Sequence, residues 1–190
     1  MNTAAARNIA LFLLLVIVFV ILTDRILALG NMSLKNYPKF SYTGHNKKAQ
    51  WYAYATPLAK AVAKEYGISW KFILVHTALE TGWGGSKLFQ NYNNWGGIKA
   101  RPGQSTVQMG TVEYYGGNRV TIVDGFRTWE TPYEGIQGYA HFFHENPRYK
   151  DALQHKNDPY RFAVEIKKAG WATDPNYVSK LHTLLNKDFA

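Results

Sequence analysis

The sequence predicts an α+β domain, mostly helical with one small β-hairpin lobe, behind an N-terminal transmembrane helix. Three observations carry this. From Lys47 onward, apolar residues recur at helical spacing between recognisable start and stop signals. Between Thr106 and Trp129 the period changes to two, with Gly116-Gly117-Asn118 at the centre. At the N-terminus, Ile9 to Leu22 is fourteen apolar residues without a break.

Fourteen helical residues reach only about 21 Å, short of the roughly 30 Å hydrocarbon core of a bilayer. Continuing through Ile26-Leu27-Ala28-Leu29 gives 21 residues from Ile9, or about 31 Å. Asp24 and Arg25 then lie near one end, where they can reach the interface. A cleaved signal peptide is the rival reading, with Ala28-Leu29-Gly30 as its small-residue cleavage site. Asp24 and Arg25 interrupt the approach to that site, and the Leu/Val/Ile richness suits a stable span. Residues 1–30 are therefore read as a membrane anchor through Ile9–Leu29. Residues 31–46, polar with Pro38 and Gly44, are read as a linker, and 47–190 as the folded domain.

Within the domain, Lys47 to Tyr66 has helical spacing and Gly67 supplies the stop, while Pro57 either starts or kinks that helix. Ser69 is placed to cap a second helix ending at Glu80, and Ser86 to Gln90 suits a short helical turn. Val107, Met109, Val112 and Tyr114 on one side of the Gly pair, with Val120 and Ile122 on the other, predict the hairpin. Thr131-Pro132-Tyr133-Glu134 combines a cap, a first-turn proline and a capping-box glutamate, opening a helix to about His144. Asp158-Pro159 and Asp174-Pro175 open two more, with Gly170 ending the first. Helices around a small β-lobe make an α+β architecture.

At 190 residues, 46% hydrophobic, the chain can bury one core of ordinary size. It has no cysteine, which removes disulfides and thiolate metal sites. His141 and His144 lack the His-Glu-x-x-His pattern, so no metal and no cofactor are expected. The net charge is +9; without residues 1–30 it is 20 basic against 12 acidic, or +8. Such a balance favours a polyanion. No zinc-finger, helix-turn-helix or RNA-binding signature accompanies it, so nucleic acid is not the expected partner. Anionic cell wall fits better.

The chemistry centres on Glu80. An apolar run from Phe72 to Leu79 delivers one carboxylate, and Gly82, Gly84 and Gly85 then break the helix around Trp83. A carboxyl so placed, beside an indole, is poorly solvated, which raises its pKa. A carboxylic acid that keeps its proton is what a glycosidase uses to protonate a leaving sugar oxygen. His76, four residues earlier on the same helical face, is placed to tune it, although packing alone accounts for most such histidines.

Ala78-Leu79-Glu80-Thr81-Gly82-Trp83-Gly84-Gly85-Ser86, followed by Asn93-Asn94-Trp95-Gly96-Gly97-Ile98-Lys99, resembles the signature of the glucosaminidase family of peptidoglycan hydrolases, glycoside hydrolase family 73. Gly125-Phe126-Arg127-Thr128-Trp129 and Gly170-Trp171-Ala172-Thr173-Asp174-Pro175-Asn176-Tyr177 extend the match, the latter close to the family's G-Y-A-T-D-P-x-Y. The resemblance runs from about Gln50 to Leu185, and four ordered motifs are far more specific than one. Thr81 stands for the usual Ser, and Trp95-Gly96 for Leu-Phe, a change that bears on the shape of the substrate groove.

The resemblance implies a lysozyme-like fold with a groove between lobes and cleavage of the β-1,4 bond between N-acetylglucosamine and N-acetylmuramic acid. Glycosidases usually pair their acid with a second carboxylate. Glu113, in Thr111-Val112-Glu113-Tyr114, matches the second Glu that the family carries on its β-lobe, with Asp124 in reserve. The bland alternative for Glu113 is an exposed strand residue paired with Arg119. The family's D-P-x-Y tyrosine faces the catalytic Glu, which points to Tyr177 as a positioner of water or of the N-acetyl group. Trp83, Trp95, Tyr114, Tyr115 and Phe126 are candidate stacking platforms for sugars, although core packing is the default for any one of them. Asn93 and Asn94 offer amides for N-acetyl recognition or, equally, for shaping a loop.

The leading expectation is a membrane-tethered hydrolase of peptidoglycan, bacterial or phage, with its domain outside the cytoplasm. Arg7 and Arg25 with Lys35 nearly cancel as topogenic charges, so that orientation rests on where the substrate lies. A freely secreted enzyme follows if the segment is a cleaved signal. A muramidase or lytic transglycosylase is the nearest enzymatic alternative, and a non-catalytic wall-binding or virion structural protein the non-enzymatic one.

Overall fold

The computed structural model describes residues 33–115 and 118–189, with the backbone alone over 111–119. The apolar segment Ile9–Leu29 lies outside the described residues. Among these, no helix is long and apolar enough to cross a membrane. The chain divides into two units, Met1–Tyr37 and Pro38–Ala190. The described part of the first holds a single 3-10 turn, Leu34–Asn36.

The second unit opens with residues that fold back onto the domain, so the expected linker is only partly one. Phe40 is buried, with its ring 5.5 Å from Trp51 and 6.2 Å from Phe89. Helix α1 (Lys47–Tyr66) starts at Asn46, whose side chain accepts from Ala49 N, and runs through Pro57 to Gly67 in the left-handed region. α2 (Trp70–Thr81) is buried continuously from Phe72 to Ala78, the mark of a helix enclosed on all sides. Ser69 stands at its N-cap but makes no side-chain cap bond; its N–H donates to Lys156 O instead. α1, α6 and α7 pack around α2, with α4 against α1.

α3 (Lys87–Tyr92) leads into the Asn93–Lys99 turn. β1 (Thr106–Tyr115) and β2 (Asn118–Arg127) form one antiparallel ribbon, and Gly116-Gly117 between them lies outside the described residues. Its register pairs Val107 with Phe126, Met109 with Asp124 and Glu113 with Val120. Arg119 lies opposite Tyr114 rather than Glu113.

α4 (Pro132–Glu145) carries the full Thr131–Glu134 capping box. A 3-10 turn, Pro147–Tyr149, and a four-residue helix α5 (Lys150–Leu153) follow, too short to announce themselves by periodicity. Asp158 caps α6 (Pro159–Lys168) through Tyr160 N and Arg161 N. α7 (Tyr177–Phe189) begins two residues beyond Pro175; Asp174 accepts from Asn176 N and pairs its other carboxylate oxygen with Lys180 at 2.7 Å.

Candidate active site

The rigid, enclosed α2 delivers Glu80 to the wall of an open cleft of about 520 Å³. The floor and far side come from the Gly96–Arg101 segment, Phe126 of β2, Phe142 and Asn146 at the end of α4, Arg148 and Trp171. The Glu80 side chain keeps 24% of its surface exposed, enough to meet a ligand.

The indole beside this carboxylate is Trp171 and not Trp83. Trp171 Nε1 donates to Glu80 Oε1 at 3.0 Å, and its ring lies 5.1 Å from Phe143 and 4.8 Å from His76. Trp83, two residues past the end of α2 with φ +59°, turns the other way. Its ring meets Tyr52 at 5.2 Å and Lys48 Nζ at 4.9 Å, and it lines a separate shallow groove with Leu79 and Leu184. The left-handed turn through Gly82 and Trp83 reverses the chain before the indole can reach the cleft.

Beneath Glu80, His76 is fully buried. Its Nδ1 bonds the Tyr139 hydroxyl, and its Nε2 bonds the Tyr177 hydroxyl and lies 3.3 Å from Glu80 Oε1. Tyr177 therefore connects to the carboxylate through the imidazole. It is buried against α2, which puts it in a different position from one that contacts water or an N-acetyl group in the open cleft. Burial and the Glu80 charge raise the phenol pKa of Tyr177, and likewise that of Tyr139.

The Glu80 pKa departs from its expected direction. Burial is the largest single influence and pushes it up. The His76 hydrogen bond and charge, with the Trp171 hydrogen bond, outweigh burial and leave it below the ordinary carboxylate value. Sequence revealed the burial and offered His76, but not the Trp171 donor.

Other expected residues separate into cleft and scaffold. Phe126 lines the cleft. Trp95 does not: it is enclosed among Trp51, Phe89 and Tyr54, and its Nε1 donates to Pro132 O at 3.0 Å, which makes it core. Asn94 is buried and fully committed, donating to Ile98 O and Arg127 O and accepting from Gly96 N and Ile98 N. No group on its amide remains for a sugar. Asn93 similarly ties Trp129 O and Glu130 O. Asp124 lies 2.6 Å from Lys99 Nζ, and that bond together with Gly125 N holds its carboxyl below the usual range. Glu113, Tyr114 and Tyr115 have side chains outside the described residues. The ladder sets Glu113 on the face shared by Asp124 and Phe126, six positions along β1 from the Val107–Phe126 pair, or about 20 Å.

Sequence reasoning missed Trp171 and Tyr139 as site residues. Trp171 had a signal, since it lies inside a motif already singled out; Tyr139, one of 13 tyrosines, had none. Among the described residues, no cluster of three His, Cys, Asp or Glu is placed to hold a metal.

A helix-borne carboxyl on the wall of a cleft, between a helical body and a two-stranded lobe, is the arrangement of a lysozyme-like fold. The glucosaminidase family model, described as mannosyl-glycoprotein endo-beta-N-acetylglucosaminidase, matches residues 56–188. The chain belongs to this family. It is 34% identical over 131 residues to the peptidoglycan hydrolase FlgJ of Pseudomonas aeruginosa, covering 66% of this chain and 33% of that one. It is 30% identical over 135 residues to the exo-glucosaminidase LytG of Bacillus subtilis, covering 68% and 47%. The chain thus spans less than half the length of either relative. A crystal structure of a peptidoglycan hydrolase mutant from Sphingomonas sp. A1 superposes with a TM-score of 0.63 at 31% identity, covering 73% of this chain and 92% of that one.

Proposed function

We propose that this chain is a membrane-tethered peptidoglycan hydrolase that cuts the β-1,4 bond between N-acetylglucosamine and N-acetylmuramic acid, in cell-wall lysis or remodelling. The observation that carries the reading is Glu80, held in the cleft by the Trp171 indole and the His76 imidazole. By themselves these donors favour the carboxylate. A glycan filling the cleft displaces the water that still reaches Glu80, and the added desolvation drives the pKa upward. Proton uptake with substrate then makes Glu80 the general acid for the departing sugar oxygen.

The second carboxylate of this reading is Glu113, farther along β1, with Asp124 as the alternative nearer to Phe126. Tyr177 and Tyr139 hold His76, and His76 holds Glu80. The domain works outside the cytoplasm, tethered by Ile9–Leu29, because that is where the glycan lies.

The test is digestion of purified peptidoglycan followed by mass spectrometry of the reduced products. N-acetylglucosamine at the new reducing end is the expected result; N-acetylmuramic acid there, or a 1,6-anhydro end, would assign a muramidase or transglycosylase instead. Glu80→Gln is expected to remove at least about 10²–10⁴-fold of the turnover with the fold intact, since an amide cannot donate the proton. Near-normal turnover by a folded Glu80→Gln chain overturns the assignment.

A further inference from the structure

Three cations line the cleft beside Glu80: Lys99, Arg101 and Arg148. Two face carboxylates of the chain itself. Lys99 Nζ lies 2.6 Å from Asp124 Oδ2, and Arg101 lies 3.6 Å from Glu145 while donating to Asn146 Oδ1 at 2.9 Å. Arg148 differs: no carboxylate of the described residues forms an ion pair with it. Its guanidinium lies 4.7 Å from the ring centroid of Tyr149, which is itself fully buried. The guanidinium is thereby held against an immobile ring at the lining of the cleft.

A neutral sugar offers hydroxyls and an acetamide, and neither needs a full positive charge. A planar fork suits a carboxylate, which it binds through paired, charge-assisted hydrogen bonds. Chemistry places such a group on every second sugar of peptidoglycan. The lactyl ether of the muramyl residue ends in a free carboxylate when the strand is stripped. In intact wall it is amide-linked to a peptide that carries carboxylates of its own.

We propose that Arg148 is a specificity-determining residue that binds a carboxylate borne by the muramyl unit of the glycan. The inference rests on the peptidoglycan reading above and names which strands that cleft prefers. The lactyl and peptide carboxylates share one chemistry and are separated by the substrates used.

The experiment compares soluble glycan strands in three forms: intact, stripped of peptide by an amidase, and with all carboxyls converted to neutral methylamides. Cleavage is measured as kcat and KM, and binding is measured separately on a Glu80→Gln background. Arg148→Gln is expected to weaken binding and raise KM about tenfold on carboxylate-bearing strands. It is expected to change nothing on the blocked strands, and Arg148→Lys should fall between. A loss on intact strands alone assigns the peptide carboxylate, a loss on stripped strands alone assigns the lactyl group, and a loss on both shows that the site takes either. Equal losses on all three forms, or no loss on any, overturn the proposal. Arg148-dependent binding without cleavage keeps the carboxylate site and overturns the hydrolase reading. Cleavage insensitive to Arg148 and to blocking does the reverse.

Discussion

Glu80 Oε1 accepts from an indole ninety-one positions away, at the start of the last motif, and lies within reach of an imidazole one helical turn earlier. Both partners favour the charged carboxylate, so removing either raises the Glu80 pKa. With a higher pKa the acid form persists to higher pH. The alkaline limb of kcat/KM, which reports the free enzyme, is therefore expected to move upward in Trp171→Phe. Phenylalanine keeps an aromatic ring for Phe143 to pack on and removes the N–H donor, together with part of the indole's bulk. A pH–rate profile checks this, and an unmoved or downward-shifted limb would show that Trp171 does not set the acid. At this scale the sequence located the carboxylate and named His76 as a possible tuner. It also named Trp83, wrongly, as the neighbouring indole. Proximity along the chain predicted Trp83; the left-handed turn after α2 turned it toward Tyr52 and Lys48.

Elements were legible where their signals are local. The Thr131–Glu134 box and the Asp158 cap use backbone groups within three residues, and both formed as expected. Ser69 at the start of α2 shows the limit, since its cap hydrogen bond is absent and Lys156 supplies the carbonyl partner from far along the chain. The Asn93–Lys99 turn is another case: its two asparagines shape the loop from within, and α4 closes on it from outside. A Cβ added at Gly135 of α4 would sit 2.0 Å from Asn93 O and 2.9 Å from Trp95 Cδ1. In an isolated helix Gly→Ala is worth about 1 kcal/mol in favour of alanine. Here the sign reverses, because the obstacle is backbone that Asn93 and Asn94 have already pinned. Gly135→Ala is expected to destabilise the fold by about 1–3 kcal/mol, read from the urea midpoint. An unchanged or higher midpoint would mean the turn can give way.

For the molecule as a whole, the proposed tether makes a prediction about place. The intact mass of the chain recovered from membranes is expected to begin at Met1, with the domain accessible to protease from outside. A soluble species beginning at Asn31 would show a cleaved signal and a freely diffusing hydrolase. The sequence by itself determined the α+β class, the hairpin, the helices with local caps and which carboxylate ends the apolar helix, because each of these depends on neighbours a few positions apart. Only the tertiary structure decided which aromatic residue meets Glu80, that Trp95 is core, that Asn94 is consumed by its own loop and that Arg148 stands at the cleft without a carboxylate partner among the described residues. Those outcomes depend on how α2, α4, α6 and the ribbon pack together, and a side chain's role there is set by what the packing leaves within about 3–5 Å of it.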